Sequence, residues 1–162
     1  MKTKVTKQHL KKHGACSDGY KYWIKVDKPD LGEFIRHCIK DKDNKETEDN
    51  PLNYANWLIV RCMSREQYIQ YSIYAAKQCL SEFERHFPDD KRPREAIEAA
   101  AKALKCNMAE NRSAAASAAW SAARSAARSA AESSESAARS AAESAMQIKI
   151  LRYGMRIMKQ QS

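Results

Sequence analysis

The sequence is short of the residues that interrupt helices. Four glycines and four prolines occur in 162 residues. An all-β chain needs many more at its turns, so the scarcity points to an all-α protein. Long apolar runs are also missing: no stretch reaches the 18 residues that would span a bilayer. The opening MKTKVTKQHLKK is basic but lacks the apolar segment of a secretory leader, and a cytoplasmic location is expected. The five cysteines, Cys16, Cys38, Cys62, Cys79 and Cys106, are odd in number and scattered, with no CxxC pair. That spacing suits reduced thiols better than a disulfide framework or a zinc site. A Cys/His metal site using His13 and Cys16 is the minor reading, and no metal or cofactor is expected. No Walker loop, GxGxxG or HExxH occurs, and no nucleophile is paired with a base. The reading is of a protein that is not an enzyme.

Acidic residues are absent from one end and sparse at the other. The overall formal charge is +9. Residues 144–162 carry Lys149, Arg152, Arg156 and Lys159 with no acid, and residues 1–28 carry eight lysines against two aspartates. The middle of the chain is close to neutral. If the ends meet, as chain ends often do, Lys11, Lys12, Lys149, Arg152 and Arg156 form a basic face suited to nucleic acid or an acidic protein surface.

What the sequence has in abundance is alanine and serine. Residues 113–145 read SAAASAAWSAARSAARSAAESSESAARSAAESA, a run of SAAx tetrads opened by Ser113, Ser117, Ser121, Ser125 and Ser129 and resumed at Ser136 and Ser140. Alanine is the best helix former, and a four-residue step overshoots one turn by about 40°, so a narrow alanine stripe winds round the helix. Ser133 and Ser134 are the expected break, because serine competes for backbone hydrogen bonds. The alanine face also makes a homo-oligomer possible. Asn107 and Glu110 form the cap that would start this helix.

Elsewhere the apolar spacing and caps give successive helices. Thr6 caps residues 7–13, which Gly14 ends. Cys16, Tyr20 and Trp23, with Ile24 beside them, make one stripe, and Gly19 within it marks a close approach. Asp30 and Glu33 open a helix over 31–40 that buries Leu31, Phe34, Ile35, Cys38 and Ile39. Residues 41–50, DKDNKETEDN, read as an exposed, flexible loop. Asn50-Pro51 starts a helix over 51–63 whose shared face holds Tyr54, Trp57, Leu58 and Arg61; such an arginine needs a partner or must reach out to solvent. Ser64 and Gln67 open a long central helix over 65–87. Pro93 starts the next, which runs to about 106 and turns Ile97, Ala100, Ala101 and Leu104 inward. In the closing segment Ile148, Leu151, Met155 and Met158 share a helical face, while Met146, Ile148 and Ile150 also alternate as in a strand. Together these give a compact multi-helix bundle with an Ala/Ser-rich long helix or helical hairpin in its C-terminal half. We expect one domain over 1–162, with basic helices and a charged loop over 1–50, central helices over 51–106 and the Ala-rich and closing helices over 107–162.

Between the two central helices lies PDDKRPRE, the densest polar cluster. Asp89 and Asp90 with Arg92 and Arg94 can knot the turn through ion pairs. Alternatively, the two guanidinium groups can reach an anionic group on a partner by forked hydrogen bonds. Arg124, Arg128 and Arg139 can pair with Glu132, Glu135 and Glu143 along the tetrads or face a partner.

Asn56-Trp57-Leu58-Ile59-Val60-Arg61, the Tyr/Ala/Cys-rich helix ending Phe83-Glu84, and DDKRPREAIEAA followed by an Ala-rich tail resemble the putative immunity proteins of polymorphic-toxin loci and phage genomes. The resemblance covers roughly residues 10–145, and HGACSDGYKYW is similar to the start of longer phage-type members. It implies a helical, non-catalytic protein that binds and neutralises a partner, either a toxin or a phage-defence effector such as a CRISPR nuclease complex. The family's string carries over to Asp90, Arg92, Pro93 and Arg94, and Arg124 and Arg128 extend the candidate surface. The other readings are nucleic-acid binding by the basic ends and sequestration of an anionic nucleotide signal by the arginines. No membrane role is expected.

Overall fold

A computed structural model describes residues 3–44, 46–105 and 136–160. Seven helices make up the regular structure of the described residues: α1 (Lys7–Lys12), α2 (Ser17–Val26), α3 (Leu31–Lys40), α4 (Pro51–Arg61), α5 (Arg65–His86), α6 (Arg92–Lys105) and α7 (Ser136–Gln160). The fold class is all-α. The closing segment is helical throughout α7, so its strand-like alternation has no counterpart. The predicted break at Ser133-Ser134, the Asn107 cap and the arginines Arg124 and Arg128 lie outside the described residues.

The described chain divides into two compact units. One comprises residues up to Met63 together with those from Gln147 onward; the other runs from Ser64 to Met146.

In the first unit the sequence caps act largely as read. Thr6 Oγ1 accepts from the backbone N–H of His9 at 3.1 Å, and Gly14 follows α1 with φ +69°, the left-handed conformation glycine accepts without steric cost. Asp30 Oδ1 accepts from Glu33 N, and Asn50 Oδ1 from Leu52 N. The segment before α1 is tied to the turn before α3, through Val5 N to Pro29 O and Leu31 N to Thr3 O. The core is the α3–α4 contact: Leu31, Phe34, Ile35, Cys38, Leu52, Ala55, Leu58 and Ile59 are almost fully buried.

Two expectations need correction here. Cys16 is exposed and stands before α2 as its cap, its Sγ accepting from Gly19 N at 3.3 Å. The buried residues of α2 are Tyr22 and Trp23, whereas Ile24 is 37% exposed. The buried face is set by what α2 packs against, with the Tyr22 ring lying near those of Phe34 and Tyr54. Gly19 does mark a close approach: a Cβ there would stand 3.1 Å from the Tyr54 ring of α4. The loop over 41–50 is not a free coil either. Asp41 accepts from Tyr22 (2.7 Å), Lys25 pairs with Glu46 (3.0 Å), Glu48 N donates to Asp18, and Asp49 N donates to the Tyr54 hydroxyl, which itself donates to Asp18. Its charges hook it to α2 and α4.

Arg61 finds partners on its own helix. It donates to the Trp57 carbonyl at 2.9 Å, and its guanidinium sits 4.0 Å from the centre of the Trp57 ring.

The second unit is organised by α5 packing on α6. Ile69, Ile73 and Ala76 meet Ile97 and Ala100, with Tyr68, Leu80, Ala101 and Leu104 around them. The Ser64–Gln67 capping box is complete, with both reciprocal bonds made. Toward the C-terminal end of α5, Cys79 and Phe83 pack with Met146.

Candidate functional site

The turn between α5 and α6 is built from its carboxylates. Phe87 closes α5, and Asp90 N donates back to Phe87 O at 3.2 Å. Asp90 then takes three bonds from Arg92: backbone N to Oδ1 (3.1 Å), Nε to Oδ1 (2.8 Å) and Nη2 to Oδ2 (2.6 Å). This fork holds the Asp90 carboxyl below the usual range and raises the Arg92 guanidinium. Helix α6 begins at Arg92, one residue before Pro93, and the Arg92 N–H donates to Asp90.

Arg94 does not join this knot. It reaches across to α5 and forks Glu84, Nε to Oε1 at 2.8 Å and Nη2 to Oε2 at 2.6 Å. Asp89 is exposed and takes no part in either fork. The turn is therefore two separate guanidinium–carboxylate pairs, one local and one between helices. The Arg92 side chain remains 87% exposed and Arg94 49% exposed, so both stay accessible to a partner.

A family model described as Imm-5 like putative immunity protein matches residues 59–156. The chain belongs to that family. The Imm-5 like match takes in the end of α4, all of α5 and α6, and α7 as far as Arg156, so both forks lie inside it. It leaves out α1 to α3, and with them HGACSDGYKYW, and it reaches past residue 145 into the closing helix. No curated protein and no solved structure matches the chain significantly.

The second group of sequence candidates lies in the first unit. Lys11 and Lys12 are exposed on α1, and Lys149, Arg152 and Arg156 are exposed on α7. Both basic ends of the chain thus belong to one unit. Gln147 of α7 donates to Asn53 of α4 at 3.3 Å. This unit carries 17 Lys and Arg against nine Asp and Glu, net +8, whereas the Ser64–Met146 unit is net +1. His13 is exposed, and its ring lies 4.4 Å from that of His9, not beside a ligand set. No group of three or more His, Cys, Asp or Glu among the described residues is placed to hold a metal. No helix of the described residues is long and apolar enough to cross a membrane.

One feature had no signal in the sequence. An open polar depression of about 550 Å³ is lined by Lys25, His37, Lys40, Asp41, Asp43, Asn44 and Glu46. It forms where the charged loop folds back toward α2 and α3. Alternating charges give no indication of which residues will meet.

Proposed function

We propose that this protein is a non-catalytic inhibitor that binds and neutralises a partner protein, either a toxin or a phage-defence effector such as a CRISPR nuclease complex, in the cytoplasm. Membership of the Imm-5 like family carries the reading. The contact is centred on the α5–α6 turn, at Asp90, Arg92 and Arg94, with Arg124 and Arg128 extending it. Supporting this location, the Arg92 fork is fixed in place by Asp90 yet largely open to solvent. A pre-oriented guanidinium loses little freedom on meeting a partner carboxylate.

Co-expression with individual toxins and defence effectors tests it. The expected result is protection of the cell by one of them, with a stoichiometric complex that survives nuclease treatment and size-exclusion chromatography. Arg92→Glu should abolish that complex while leaving the helical melt intact. Protection without a complex would point to chemistry on the toxin's product and end the inhibitor reading. A complex indifferent to Arg92→Glu would move the contact elsewhere.

A further inference from the structure

The closing half of α7 carries a single-sign face that the inhibitor reading does not use. Lys149, Arg152, Arg156 and Lys159 are all exposed. At about 100° per residue they fall within an arc of roughly 80° and extend about 15 Å along the axis. Leu151, Gly154, Ile157 and Met158, on the opposite side, are buried. The helix is therefore anchored by one face and presents a straight basic row on the other.

An ordinary solubilising surface interleaves both signs, as elsewhere in this unit, where Lys25 pairs with Glu46 and Lys42 with Asp43. The row differs. No acid occurs from Ser144 to the last residue, and none of the four makes an ion pair among the described residues. Arg156 lies over the Tyr153 ring at 5.3 Å, which steadies its planar fork beside the row.

We infer that this row, with Lys11 and Lys12 of the same unit adding to its field, docks on the phosphate backbone of a nucleic acid. The match is one of charge density. A duplex presents a phosphate every 3.4 Å or so along each strand, so the length of the row faces several phosphates. A protein surface ordinarily intersperses both signs, so an acidic protein offers a shorter line of one sign. The contact is to backbone and carries no base preference.

The test is electrophoretic retardation of a labelled duplex of about 24 base pairs by the full chain, from about 50 to 300 mM salt. Four neutralised phosphates predict a log–log salt slope of about −3 to −4. The quadruple variant Lys149→Gln, Arg152→Gln, Arg156→Gln, Lys159→Gln should lose at least about tenfold in affinity at low salt and most of that slope. A matched variant, Lys21→Gln, Lys25→Gln, Lys28→Gln, Lys40→Gln, removes the same charge from the same unit and should retain most of both. Glutamine keeps helix propensity close to that of lysine and arginine, and circular dichroism checks that both variants are folded. Absence of retardation at the lowest salt overturns the proposal, as does equal loss in the two variants. Displacement of the duplex by poly-glutamate at equal charge would reassign the row to an acidic protein.

Discussion

Arg92 and Arg94 stand two residues apart and do different work. Arg92 closes a loop within its own turn, whereas Arg94 ties α6 to α5 through Glu84. Arg94→Ala should lower the melting temperature by about 2–4 °C and Arg92→Ala by about 1 °C or less, both read by thermal circular dichroism. The sequence showed the cluster but not the partition. Glu84 is ten residues before Arg94, and only the packing of the two helices brings them together. The thiols give a second test. Burial pushes Cys38 up to about 12 and Cys62 up to about 11, and raises Cys79; Cys16 is exposed. Alkylation at pH 8 followed by peptide mapping should modify Cys16 well before those three. Tyr22 and Tyr71 are raised as well, by burial first and, for Tyr22, also by its bond to Asp41. The fold keeps these protons while the unfolded chain releases them from about pH 9 upward. Their stabilisation is complete below that pH and lost as pH rises through the folded values. Melting temperature should fall progressively above pH 9, and Tyr22→Phe should flatten part of that fall.

Helices were the most legible level. Thr6, Asp30, Asn50 and Ser64 all cap where their sequence patterns place them, because a cap is a local bond three residues long or less. The Ser64–Gln67 box makes a clean test: Ser64→Ala should cost about 1 kcal/mol in chemical denaturation. The inward faces of α3 and α6 were readable for the same local reason, since period and burial are set by one helix. The errors lie where a choice depends on distant residues. Cys16 has the apolar character of a stripe residue, but its Sγ is the acceptor for the Gly19 N–H that opens α2. The loop over 41–50 read as free because its charges suggest solvation, yet Asp18, Tyr22, Lys25 and Tyr54 supply partners 5 to 30 residues away along the chain. Composition shows that a segment is polar and says nothing of which groups it will meet.

At the scale of the whole molecule, charge was legible and topology was not. The basic excess at both ends could be counted, and both ends fall in the strongly basic unit, although nothing in the periodicity required it. Because that unit is assembled from residues before Met63 and after Gln147, its two parts leave the ribosome separately. The intervening 83 residues take about 4 to 17 s to synthesise at ordinary bacterial and eukaryotic rates. During that interval α1 to α4 must hold together without the buried Leu151, Ile157 and Met158 of the closing helix. A nascent chain stalled before Gln147 is therefore the stage most dependent on chaperones, and the Ser64–Met146 unit has the opportunity to fold first.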